Sequence, residues 1–284
     1  MATIKLAFFD IDGTLIGSDG GYSQATKSAV LELRRNGVRT AIASGRPPFA
    51  AQFLFDELDI TDVGLFYAGA AIYDPLRQCY LKSHYLNDIQ GLNDTNNKPD
   101  NNVVTLLKLL ATIKKENLYC EAYTRNGFAT EQKSDIYYAH SRVLRIDASL
   151  IQSIESVVES NAVYKLLIGA PINAFKLSDI ELDFPEFDFA YAKMASHSDW
   201  LFASVTNKSS CRKNGFDYLC DFHHVTPEEV IAFGDAQSDK VFIESAGLGV
   251  AMGDAPNEVK QLADIVTDTA DNDGVAKVIN RLLA

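Results

Sequence analysis

The chain opens on a short apolar run, Ile4 to Phe9, of the kind that forms a strand buried on both faces. It breaks at once into Asp10-Ile11-Asp12-Gly13-Thr14. The period then changes. From Ser23 to Asn36 apolar residues fall at helical spacing, with Ala25, Val30 and Leu33 placed to face a core and Gly37 as a stop. Val38 to Ala43 is a second strand-like run, ending in Ser44-Gly45-Arg46. Pro47 and Pro48 open another helical stretch, and Val63 to Tyr67 reads as a third strand. Strand, helix, strand, helix, strand in this rhythm predicts a doubly wound parallel sheet.

The pattern then shifts. Asn93 to Asn102 is a polar stretch without core-forming residues and reads as a solvated loop. An amphipathic helix follows, carrying Val103, Leu106, Leu107, Leu110 and Ile113 on one face. Short strands are predicted at Leu118 to Thr124, Val163 to Ile168 and Phe187 to Ala192, with a helix near Leu150 to Ser160. From about Asp199 the strands lead back to the first pattern. Val230 to Phe233 ends in Gly234-Asp235, Leu248 to Met252 ends in Gly253-Asp254, and Ile265 with Val266 makes a last short strand. The expected organisation is a Rossmann-like α/β core built from residues 1–82 and 193–284, with an α+β cap inserted at 83–192.

Composition narrows the function classes. At 284 residues, 47% of them apolar, the chain is long enough for a sizeable core. A net charge of −12 argues against nucleic acid and anionic membrane surfaces as partners, although a small phosphorylated molecule remains compatible through a metal ion and local cations. Cys79, Cys120, Cys211 and Cys220 are scattered without a C-x-x-C pair, as expected of reduced thiols in the cytoplasm. No apolar stretch reaches the roughly 18 residues of a membrane span, and no signal segment precedes the first strand.

The chemistry collects where the strands end. Asp10 and Asp12, Ser44 and Asp235 each stand at the carboxyl tip of an apolar run. In an open parallel sheet, ligands bind just outside those tips. If the strands are neighbours, the carboxylates form a hard, oxygen-rich site of the kind Mg²⁺ takes. Asp10 and Asp12 lie two apart, so both can point the same way; Gly13 lets the backbone turn, and Thr14 offers a hydroxyl and an amide to an anion.

Asp10-Ile11-Asp12-Gly13-Thr14-Leu15, Ala43-Ser44-Gly45-Arg46 and Gly234-Asp235-Ala236-Gln237-Ser238-Asp239 resemble motifs of the haloacid dehalogenase superfamily, in particular Cof-type phosphatases with a large C2-type cap. Asn272-Asp273-Gly274-Val275-Ala276 resembles that family's ending. The resemblance implies a phosphoric monoester hydrolase in which Asp10 attacks phosphorus to give an aspartyl phosphate and Asp12 serves as acid and then base. Ser44 would bond a phosphoryl oxygen, and Asp10, Asp12 through its main-chain carbonyl, Asp235 and Asp239 would hold Mg²⁺. Thr14, Gly45 and Arg46 are candidate substrate contacts, Arg46 being open to a salt bridge instead. The family's third motif is a lysine; here its place falls on Arg212, with Lys213 adjacent, and either can supply the cation. Ala68, Ser238 and Asp254 stand where asparagine is usual.

The expected function is hydrolysis of a small phosphorylated metabolite, such as a sugar phosphate, nucleotide or cofactor phosphate, by a monomer or weak homodimer. A phosphomutase of the same fold and a weakly active phosphometabolite-binding protein are the alternatives. His84, His140, His197, His223 and His224 form no ligand pattern and read as surface or loop residues.

Overall fold

The computed structural model describes residues 3–87, 101–147, 149–150, 153–194 and 197–284. Most of the polar stretch at 93–102 lies outside these residues. In chain order the elements begin with β1 (Leu6–Phe9), α1 (Gln24–Arg35), β2 (Arg39–Ala43), α2 (Gln52–Leu58), β3 (Asp62–Phe66), β4 (Ala71–Asp74) and β5 (Cys79–Ser83). There follow α3 (Asn101–Lys115), β6 (Tyr119–Thr124), β7 (Gly127–Thr130), α4 (Asp135–Leu144), β8 (Ser149–Leu150), α5 (Ile154–Ser160), β9 (Lys165–Pro171), α6 (Leu177–Asp183), β10 (Phe187–Met194) and β11 (His197–Asn207). The chain closes with α7 (Arg212–His223), β12 (Val230–Gly234), α8 (Lys240–Ser245), β13 (Leu248–Ala251), α9 (Asn257–Lys260), β14 (Ile265–Val266) and α10 (Gly274–Leu283).

Two compact units result, one of residues 1–82 with 211–284 and one of residues 83–210. The first holds an eight-stranded sheet in the order β14-β13-β12-β1-β2-β3-β4-β5. Its strands from β14 to β3 run parallel, and β4 turns back antiparallel to β3. The parallel strands β1, β12 and β13 are apolar without alternation because helices cover both faces. On one face Phe8 packs edge-on to Phe242 with centroids 5.0 Å apart, and Phe216 meets the same Phe242 at 5.3 Å, which ties α7 and α8 to the sheet. Burying each such ring stabilises the fold by about 1.5–3 kcal/mol. Phe9 and Phe233 stack on the other face at 5.0 Å.

Helix α1 begins where Ser23 accepts the backbone N–H of Thr26, an N-cap bond that sets the helix phase. Its buried face is Thr26, Ala29, Val30 and Leu33, whereas Ala25, expected to face the core, is exposed. The cap bond is a stronger local determinant of phase than a single small apolar residue.

The second unit is a six-stranded sheet ordered β10-β11-β9-β6-β7-β8, antiparallel except for the pairing of β7 with β8. Leu106, Leu109, Leu110 and Ile113 of α3 pack with Ala122, Leu166, Ile168, Ala203 and Val205 on one face of it. The chain re-enters the first unit at Cys211, later than the return at residue 193 read from the sequence. The reason is β11, which lies between β10 and β9 and pairs antiparallel with both, Phe189 opposite Val205 and Ala203 opposite Ile168. The strands after Asp199 therefore complete the second sheet before leading back.

Candidate active site

The register of the first sheet brings the reactive segments together. Phe9 lies opposite Phe233 on one side and Ile42 on the other, so β12, β1 and β2 end side by side. Asp10 follows β1 directly and donates its N–H to Phe233 O at 3.0 Å. Asp235 and Ser44 follow β12 and β2. Asp10, Asp235 and Asp239 each offer a carboxylate oxygen within 4.8 Å of the others.

Two glycines make this approach possible. Gly13 has φ +81°, and a Cβ there would lie 2.4 Å from Asp235 Oδ2. At Gly234 a Cβ would lie 2.3 Å from the Cβ of Asp239. The Asp239 Oδ2 then accepts the N–H groups of Asp235 at 3.1 Å and Ala236 at 2.9 Å, which fixes the loop that carries Asp235. Thr14, fully buried, donates its hydroxyl to Asp235 Oδ1 at 3.3 Å.

The electrostatics of the cluster are unfavourable as it stands. Burial, followed by the charges of Asp239, Asp235 and Asp12, pushes the Asp10 carboxyl well above the usual carboxylate range. Burial, Asp239 and Asp254 push Asp235 up to about 8. Burial also raises Asp239, with Arg212 opposing it. Three crowded carboxylates of this kind form an oxygen-only donor set that fits a hard divalent cation such as Mg²⁺.

Arg212 begins α7, and its Nη1 lies 3.6 Å from Asp239 Oδ1. That distance is an ion pair without a hydrogen bond, and Nη1 is buried with no hydrogen-bond partner among the described residues. Lys213 projects away along the same helix and pairs with Asp217, its side chain half-exposed. Of the two cations at the third motif, the structure brings Arg212 to the cluster and leaves Lys213 outside it.

Ser44 is buried; its N–H bonds Leu65 O at 3.0 Å and its Oγ accepts the N–H of Arg46 at 3.3 Å. Gly45 continues that tight turn, open on its α-carbon side. Arg46 is also buried and forms a two-pronged pair with Asp12, Nε to Oδ2 at 2.7 Å and Nη2 to Oδ1 at 2.5 Å. Both oxygens of Asp12 are thereby engaged, and its carboxylate stands apart from the three-aspartate group. Sequence reasoning left open whether Arg46 meets substrate or an acid; the structure gives it Asp12. Ala68 lies in a left-handed turn with Tyr67, at φ 58° and 51° respectively, and its N–H bonds Ser44 O at 3.2 Å. Asparagine tolerates that conformation better than alanine.

Two histidines depart from the surface or loop reading. His223, in the last turn of α7, is buried, and its Nε2–H donates to Val63 O at 2.9 Å. Burial lowers its pKa, so it stays neutral. His140 lies on α4 with Nδ1 2.8 Å from Glu121 Oε2, a pairing that only the Tyr-x-Glu-x-Tyr alternation of β6 foreshadowed.

Comparison with known proteins agrees with this geometry. The model of the haloacid dehalogenase-like hydrolase family matches residues 7–279. Phosphatase YwpJ of Bacillus subtilis is 26% identical, over 99% of this chain and 100% of its own. The 5-amino-6-(5-phospho-D-ribitylamino)uracil phosphatase YitU of the same organism is 25% identical, over 96% of each chain. A haloacid dehalogenase-like hydrolase from Bacteroides thetaiotaomicron superposes with a TM-score of 0.80 at 25% identity, covering 99% of this chain and 100% of that one. With an aspartate cluster at the tips of β1 and β12 and a family match over nearly its full length, the chain belongs to the haloacid dehalogenase superfamily, as a Cof-type phosphatase that hydrolyses phosphoric monoesters.

Proposed function

We propose that the chain is a magnesium-dependent phosphatase of a small phosphorylated metabolite, working through a phosphoryl group carried on Asp10. The observation that supports this most is the meeting of Asp10, Asp235 and Asp239 within 4.8 Å beside the unpartnered Nη1 of Arg212. Mg²⁺ would be held by Asp10, Asp235, Asp239 and the main-chain carbonyl of Asp12. When bound, it would offset the mutual repulsion of the carboxylates and draw charge from the phosphoryl oxygens.

The chain's own groups divide the rest of the work. A carboxylate oxygen of Asp10 attacks phosphorus, the bond from phosphorus to the leaving oxygen breaks, and Asp12 gives that oxygen a proton. Water then attacks the aspartyl phosphate and gives a proton to the Asp12 carboxylate, and the bond between Asp10 and phosphorus breaks to release inorganic phosphate. Arg212 Nη1, the Ser44 hydroxyl and the Thr14 amide donate to the phosphoryl oxygens, where fixed donors stabilise developing charge without reorganising. Gly45 leaves the backbone beside them unobstructed. Arg46 orients Asp12, which must turn from the guanidinium to reach the leaving oxygen. Lys213 contributes to the potential from outside the cluster.

The substrate class is a sugar phosphate, nucleotide or cofactor phosphate, a range that includes the phosphorylated ribityl compound named for the relative YitU. The test is release of inorganic phosphate from p-nitrophenyl phosphate. Asp10→Asn lowers the rate by roughly 10⁴-fold, and chelation of Mg²⁺ abolishes it. Turnover that survives both the substitution and EDTA sinks the mechanism.

A further inference from the structure

The second unit holds an open cavity that phosphoryl transfer does not use. It has a volume of about 250 Å³ and lies where the end of α3, the start of α5, the start of β6 and the end of β7 meet. Buried Leu110, Ile113 and Ile154 give it an apolar wall, and Lys114, Glu131 and Glu155 line its polar side. All of these residues belong to one unit, and none to the aspartate cluster. The chain holds each carboxylate by one oxygen. Glu131 Oε1 accepts the N–H of Ile154 at 2.7 Å, and Glu155 Oε2 accepts the Ser153 hydroxyl at 2.6 Å. The other oxygens, Glu131 Oε2 and Glu155 Oε1, lie 3.9 and 3.7 Å from Lys114 Nζ, too far for a hydrogen bond. Two anions thus share one loosely placed cation, on a side chain 62% exposed to water.

The charge and the wall together define what fits. The position of Lys114 Nζ demonstrates that one ammonium reaches towards both oxygens at once. An exposed ion pair of this kind contributes little, so the lysine gives way easily. Once it turns outward, the cavity carries two negative charges and no positive one. Cys120, on the same cavity, senses that field: burial first, then the charges of Glu121, Glu131 and Glu155, push its thiol above the ordinary cysteine range. The last turn of α3 adds the negative end of a helix dipole. An anion is disfavoured on the same grounds, and the Ile154 N–H that could receive one is already bonded to Glu131. A neutral alcohol has one proton to donate and leaves the second oxygen without a donor. At the roughly 30 Å³ that one water takes up in the liquid, the cavity suits a molecule of about eight non-hydrogen atoms.

We propose that this cavity binds a small primary amine with a hydrocarbon body. The ammonium displaces Lys114 and bonds Glu131 Oε2 and Glu155 Oε1, while the body lies against Leu110, Ile113 and Ile154. The body is what lets the amine displace the lysine. Burying it takes hydrocarbon out of water, whereas the Lys114 stem remains largely in solvent. Binding needs no phosphoryl chemistry and stands apart from the phosphatase reading.

Isothermal titration of the full chain with 2-phenylethylamine tests this, with 2-phenylethanol as the neutral isostere and 3-phenylpropanoate as the anion. The amine binds with a Kd of about 1 mM, the alcohol roughly tenfold more weakly, and the anion not at all. Glu131→Gln combined with Glu155→Gln keeps an acceptor for Ile154 and Ser153 but removes both charges, and it weakens amine binding roughly tenfold. Lys114→Met removes the competing ammonium at an exposed position and tightens amine binding about threefold, which keeps the test open should the double variant fail to fold. The inference is overturned if the amine does not bind at about 10 mM or the alcohol matches it. It is equally overturned if the double variant keeps full affinity, or if Lys114→Met leaves amine binding unchanged or weaker.

Discussion

Both units bury carboxylates, and they treat them in opposite ways. In the second unit Glu121 has a donor for each direction it faces, and its pKa falls. In the first unit Asp10, Asp235 and Asp239 crowd one another, and all three pKa values rise. A satisfied buried ion fixes the groups around it, whereas crowded carboxylates facing one another form a donor set that can take a cation. The burial is comparable; what differs is whether the partner is built into the chain.

The contrast is broken most sharply at Arg212, the cation nearest the aspartate cluster among the described residues. Arg212→Ala lowers kcat/KM for p-nitrophenyl phosphate by about 10²–10³-fold, the usual effect of losing a donor to a transition-state oxyanion. Lys213→Ala, on the outer side of the same helix, leaves it within about twofold. Equal losses from the two would show that the cluster draws on a diffuse field rather than one placed guanidinium.

In the second unit the largest effect belongs to Glu121→Gln, which leaves three donors facing a neutral acceptor and costs about 2 kcal/mol by urea unfolding. The carboxyl titrates below its unfolded value of 4.5, so its stabilising contribution is complete above that pH and is lost as pH falls. Hydrogen-exchange protection of β6 and α4 therefore decreases on acidification. Unchanged protection down to pH 3 would mean that the network carries no net charge energy.

The aspartate cluster has the reverse sign. Asp235 rises from 3.8 to about 8, so its contribution is present at low pH and is lost as pH climbs toward 8. With EDTA present at pH 8, Asp235→Asn relieves this repulsion and stabilises the protein by about 1 kcal/mol, read as a higher Tm. A lower Tm would show that the carboxylate is satisfied without a cation. The smallest effect is expected at Ala68, whose left-handed conformation glycine adopts freely; Ala68→Gly gains somewhat under about 1 kcal/mol in equilibrium unfolding.

The chain's local periodicity carried a good part of this. Apolar stretches at residues 6–9, 41–43 and 230–233 specify buried parallel strands, because only a sheet covered on both faces excludes polar residues from consecutive positions. The chemistry at the ends of those runs was equally legible, since a strand buried along its length can present polar side chains only past its tip. Adjacency was not. Thr14 and Asp235 are 221 residues apart, and only the pairing of β1 with β12 makes them neighbours. β11 was misplaced for the same reason: antiparallel pairing with β9 and β10 is non-local and leaves no mark on the strand's own alternation. The nearness of Arg212 to Asp239, the capture of Asp12 by Arg46 and the meeting of Glu121 with His140 all depend on which face of one element packs against another. Composition and period set how each segment folds; the sharing of space between distant segments decided what their side chains touch.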